Sequence, residues 1–127
     1  MDLEMVLGPG KKGVFYGVRN YDNITLEKQV HSAEKLVNSY NSIIIKKYVD
    51  TKKPLLLNDL LVTRKNLLAL IQWVVVNKCD FIITYSDGCL YDDQIGKQKI
   101  KKFVVANQMP IILSTEKKLF HPLMISY

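Results

Sequence analysis

The sequence predicts a single α/β domain, built as a mostly parallel sheet of four to five strands flanked by helices in a Rossmann-like three-layer arrangement. Three observations point there. Short β-branched apolar runs alternate with amphipathic stretches of helical period, at the lengths of single βαβ crossovers. The run CDFIITYS shows almost no alternation, as expected of a strand covered on both faces. Finally, 127 residues with 48% hydrophobic and 24% charged content can bury one core without staples.

The elements follow in chain order. Residues 1–12, MDLEMVLGPGKK, carry two acids and no leading positive charge, so they are no secretory signal and are expected to form a flexible leader before a domain spanning 13–127. GVFYGV is a first strand, rich in residues of high β-propensity. RNYDN breaks it with turn formers and potential caps at Asn20, Asp22 and Asn23. From Ile24 the period changes: Leu26, Val30, Ala33, Leu36 and Val37 share one helical stripe, with Glu27, Lys28, Glu34 and Lys35 facing water. SIIIKKYVD is the second strand. TKKPLLLND is a loop, with Thr63 the better cap for the helix that buries Leu67, Leu70, Ile71, Val74 and Val75. After the third strand, DDQIGKQKIKKFVVANQ starts with acids at its positive end and carries lysines further along. Within it, Ile100 and Phe103 mark a buried face beneath a wet lysine face. MPIILSTE is a fourth strand, and KKLFHPLMISY is too short and too broken by Pro122 to assign.

Composition narrows the function. Lys and Arg number 18 against 12 Asp and Glu, a net charge of +6 that suits phosphate contacts and equally suits a solvated lysine-rich surface. Cys79 and Cys89 make no disulfide or metal framework and read as free thiols of a reducing cytoplasm. No metal or cofactor is expected. No apolar run approaches the roughly 18 residues that span a bilayer, so no membrane partner is expected. The seven tyrosines are scattered and form no stripe for stacking single strands. Trp73 follows the helical stripe and reads as a core aromatic.

In open α/β sheets, ligands and chemistry gather at the carboxyl ends of the strands. Here those ends carry VRNYDN, YVDTKK, TYSDGCLYDD and LSTEKK. Their order and spacing resemble the catalytic domain of the serine recombinases, the resolvase and invertase family. YGVRNYDNITLEKQ keeps that family's Tyr16, Asp22, Leu26 and Gln29. A strand ending in Tyr48, Val49 and Asp50 follows, then an arginine-led helix with Arg64, Leu67 and Leu70. YSDGCLYD matches an Asp-Arg-Leu-x-Arg segment, and Ser114, Thr115 and Glu116 match the end of a later strand. The resemblance runs from Val14 to Glu116 and implies a resolvase-catalytic-domain-like fold.

The departures bear on activity. In the family a serine attacks a DNA phosphodiester and becomes joined to the DNA, while arginines stabilise charge on the phosphate oxygens. The serine position falls on Asn20, whose amide has no ionisable proton to lose. The arginine two residues earlier falls on Val18; Asp87 survives, but the arginines after it fall on Gly88 and Tyr91. The resemblance therefore implies a catalytically inactive domain. A slip of one residue would instead place Arg19 at the arginine and Tyr21 at the nucleophile, but it inverts every side chain on the strand. It also leaves Gly88 and Tyr91 unrepaired. Ser86 has no histidine near it in sequence, since His31 and His121 lie in a helix and a tail, and it reads as a strand-end hydroxyl bonded to its turn. Family members continue into a long dimer helix and a DNA-binding domain, whereas eleven residues follow Glu116 here. The expected role is DNA-associated assembly or regulation. Phosphates would be met through Arg19, Lys52, Lys53, Arg64, Lys117 and Lys118, with an active recombinase, another protein or a second copy as partner. The alternatives are an interaction module with no nucleic-acid role, and an active DNA-cleaving recombinase with an unrecognised nucleophile.

Overall fold

The computed structural model describes residues 3–52 and 64–120. Lys53, Pro54 and the loop leucines, the expected cap Thr63, His121 and Pro122 lie outside the described residues. Five strands form one sheet in the order β2-β1-β3-β4-β5. They are β1 (Lys12–Arg19), β2 (Ile43–Thr51), β3 (Phe81–Thr84), β4 (Ile111–Leu113) and β5 (Lys118–Leu119). The first three pairings are parallel, and β5 turns back antiparallel on β4. Among the described residues, four α-helices accompany them: α1 (Leu3–Val6), α2 (Leu26–Ser39), α3 (Lys65–Asn77) and α4 (Gln94–Asn107).

Period-2 alternation in β1 divides the core into two layers. Val14, Tyr16 and Val18 join Leu67, Leu70, Val74, Ile100 and Val104 beneath α3 and α4. Phe15 points the other way, with Ala33, Leu36, Val37, Phe81 and Ile83 beneath α2. The central strands β3 and β4 are buried at every position, as the unbroken apolar run of β3 predicts. No helix of the described residues is long and apolar enough to cross a membrane.

Several local expectations shift. The stretch expected as a flexible leader packs instead, from residue 3 onward. Val6 and Leu7 are 4% and 3% exposed in the α2-side core, and the backbone of Gly8 exchanges two hydrogen bonds with the Ser42 hydroxyl. Apolar residues at Leu3, Val6 and Leu7 share one face at helical spacing, which is why the segment folds back. The cap of α2 is Thr25, whose hydroxyl accepts from the Lys28 N–H, while Asn20 and Asp22 adopt the left-handed backbone that their short polar side chains tolerate. Helix α4 begins as expected, with the Asp93 carboxylate accepting from the Gly96 N–H. Helix α3 carries no side-chain cap of its own. Its first N–H groups point at a carboxylate from β2: Asp50 accepts from Asn66 at 3.0 Å and from Leu67 at 3.0 Å. Trp73 is half-buried against the core, with the Lys46 ammonium 5.0 Å from its ring.

Candidate site at the carboxyl ends of the strands

The chain runs from β1 through α2 to β2 on one side, then crosses to β3 on the other, so the strand order reverses between β1 and β3. That reversal is where an open sheet leaves a crevice for a ligand. Pairing between β1 and β3 ends at Tyr16 and Thr84. Beyond it Gln29, fully buried on α2, accepts from the Val18 N–H at 3.0 Å and donates to the Val18 carbonyl at 2.8 Å. A side-chain amide thus replaces the missing strand and splays the two loops apart.

The loop after β1 places Asn20 and Asp22 at positive φ, with Tyr21 between them closing a tight turn to Ile24. The Tyr21 ring reaches across the crevice, and its hydroxyl shares a 2.7 Å hydrogen bond with the Ser86 hydroxyl after β3. Gly88 sits under that ring. A Cβ there would lie 2.4 Å from the Tyr21 hydroxyl oxygen, far inside van der Waals contact. A larger residue at 88 would have to push the tip of the Tyr21 side chain aside, so the two positions are sterically coupled. Tyr91 donates to Asp87 at 3.0 Å and tilts against Phe120.

These phenols are poorly placed to ionise. Burial raises the Tyr21 pKa, partly opposed by the bond to Ser86. Burial and then the Asp87 carboxylate push Tyr91 up to about 12. A phenol raised this way is a weaker source of phenolate, which counts against Tyr21 as an attacking group. Burial also pushes the Cys89 thiol up, and Cys79 likewise.

Behind the crevice lies a buried polar chain. Tyr16 donates to Asp50 at 2.7 Å, and Arg64 approaches the Tyr16 hydroxyl at 3.3 Å. The same guanidinium donates to the Cys89 carbonyl and pairs with Asp92 at 3.1 Å. Burial holds the Tyr16 phenol far above its ordinary pKa, against the opposing pull of the Arg64 charge. Arg64 was expected among the phosphate contacts; the structure instead places it 7% exposed, with its donors turned to protein acceptors.

The other expected residues lie as follows. Val18 is 1% exposed and faces the α3-side core. Arg19 and Asn20 are exposed at the end of β1. Lys52 is half-buried, with its ammonium 5.6 Å from the Tyr21 ring. Lys117 is exposed in the β4–β5 turn, and Lys118 is paired with Glu116 at 2.8 Å. Sequence reasoning missed the use of Asp50 as a distant helix cap and the pairing of Asp92 with Arg64. Tyr16, Asp50, Arg64 and Gln29 all stand in the motifs that carry the resemblance, so their positions were marked while their contacts were not. Among the described residues, no three His, Cys, Asp or Glu side chains gather to hold a metal ion.

Comparison with protein-family models and with curated protein sequences gives no match. Solved structures do match. One is described as the crystal structure of the N-terminal catalytic domain of TP901-1 integrase, with a TM-score of 0.68 and 16% identity. The alignment covers 84% of this chain and 79% of that one. The likeness shows the fold: a mostly parallel five-stranded α/β domain like that integrase domain.

Proposed function

We propose that this domain keeps the recombinase fold without the DNA-cleaving chemistry and serves in DNA-associated assembly or regulation. The observation that carries this reading is the coupling of Tyr21 to Gly88. An arginine at position 88 would have to displace the Tyr21 ring. Asn20 supplies no ionisable proton, and Val18 supplies no cation for phosphate oxygens. Phosphate contacts fall to the exposed Arg19 and Lys117, with Lys52 and Lys118 around them; Lys53 lies outside the described residues. Arg64 is left out of that set because the protein itself occupies its donors.

The test is anisotropy of a labelled random-sequence duplex at several salt concentrations. Binding should weaken with a log–log slope of about −0.9 per phosphate contacted. Lys52→Ala and Lys117→Ala should each lower that slope by about one. Absence of binding at low salt would overturn the DNA reading for this domain.

A second reading, an interaction module paired with another copy, has its own support. From Asn66 to Asn77 helix α3 carries no charged residue, and Leu68, Val75 and Val76 are 41%, 50% and 77% exposed. Concentration-dependent sedimentation that Val76→Asp abolishes, together with no DNA binding, would favour it.

A further inference from the structure

A cleft of about 400 Å³ lies on the opposite side of the sheet edge, between α2 and the turn joining β4 to β5. Lys28, His31 and Lys35 line one wall from a single face of α2, and Lys117 faces them from the turn. No carboxylate lines it. Of the neighbouring acids, Glu34 lies 3.9 Å from Lys47 and Glu116 is held by Lys118, while the exposed Glu27 on α2 does not line the cleft. Among the described residues, none of Lys28, Lys35 and Lys117 pairs with a carboxylate. Among the described residues, the positive charge of the cleft has no carboxylate against it.

The floor is polar where an anion would sit. Ser32 and Ser114 share a 2.8 Å hydrogen bond in which either hydroxyl can donate. Only one of the two hydroxyl protons is used in that bond, so the other can turn to a ligand oxygen. Leu36 and the half-buried Tyr85 also line it. The volume falls within the roughly 300–1,000 Å³ of small-molecule sites. The cleft also opens at the carboxyl ends of β3 and β4, where such sheets bind ligands.

Lys117 adopts φ +53° in the turn, the left-handed region that Lys78 and Gln108 also occupy at helix ends.

We propose that this cleft binds a phosphate-bearing ligand of nucleotide size, with Lys28, Lys35 and Lys117 on the phosphates and Tyr85 against the attached ring. The site does not depend on the DNA-associated reading, since Lys28 and Lys35 lie outside the strand-end set and Lys117 alone is common to both. The test is titration of the whole chain with inorganic pyrophosphate and with ATP, followed by amide chemical shifts. Shifts should concentrate at Ser32, Lys35, Tyr85 and Thr115 and saturate below about 10 mM, with Lys35→Glu weakening binding at least about tenfold. ATP tighter than pyrophosphate assigns a free nucleotide. A dT hexamer that displaces ATP from these amides assigns the phosphate to a strand. Lys117→Gly should raise the thermal midpoint while weakening pyrophosphate binding, and a control at the distant Lys102→Glu should leave binding unchanged. Shifts spread evenly over surface lysines, or binding indifferent to both Lys35→Glu and Lys117→Gly, would overturn the proposal.

Discussion

Between β1 and β3, the polar side chains Tyr21, Ser86, Asp87 and Tyr91 are satisfied by one another, and the crevice they border is bridged. Along α2, by contrast, Lys28, Lys35 and Lys117 face a cleft that holds no acid. Both regions lie at the carboxyl edge of one sheet, where a fold of this kind places its ligands. In the crevice the polar groups are turned onto each other above a buried polar chain. At the cleft the lysines meet no carboxylate among the described residues.

The comparison can be broken most forcefully at the buried chain. Asp50→Ala strips acceptors from Tyr16 and from the first N–H groups of α3, and leaves a buried polar chain open beside Arg64. Urea unfolding should show a loss of about 3–5 kcal/mol, the scale of breaking a buried charged contact. Gly88→Ala should cost about 1 kcal/mol or less, since the added Cβ meets the tip of a side chain that can move. Adding Tyr21→Ala should recover much of that cost, because the clash is with the Tyr21 hydroxyl. A double-mutant cycle reads the coupling directly; additive losses would mean the ring and the glycine are independent.

Alkaline titration sharpens the same region. Tyr91 is raised from 10.0 to about 12 in the folded chain. Its contribution is therefore fully present below pH 10 and is lost as pH rises through about 12. Stability should fall over that window, and Tyr91→Phe should flatten part of the fall. A smaller effect is expected at Asn20, whose φ of +61° suits asparagine or glycine. Asn20→Ser should cost about 1 kcal/mol, while Asn20→Gly should be nearly neutral. At the open cleft, Lys28→Ala and Lys35→Ala should leave stability within about 0.5 kcal/mol, since both side chains are exposed and unpaired among the described residues. A large loss there would erase the contrast between the two regions.

The fold was legible in the sequence because its signals are local and periodic. The unbroken run of β3 and the stripe of Ala33, Leu36 and Val37 announce their burial without reference to distant residues. The strand β5 was not legible, since Lys118–Leu119 is two residues long and acquires its identity only by pairing with β4. The packed N-terminal segment was missed for a similar reason: four helical residues carry too little pattern to outweigh GPG and two lysines. At the candidate site, chemistry was readable and contacts were not. That Asn20 cannot act as a nucleophile follows from its side chain alone. That Gly88 makes room for Tyr21, 67 positions away in sequence, follows only from the parallel pairing of β1 with β3. Arg64 illustrates the hazard in reading charge as exposure, because its partner Asp92 lies 28 residues on and no spacing rule joins them.

The central claim is that the strand-end site is filled by its own side chains and forms no covalent link to DNA. The most direct measurement is to incubate the domain with supercoiled DNA, denature it with detergent and look for protein-linked strands. The account predicts none. Protein-linked DNA that disappears in Tyr21→Phe, with folding intact, would contradict it and return the Tyr21 hydroxyl to the role of nucleophile.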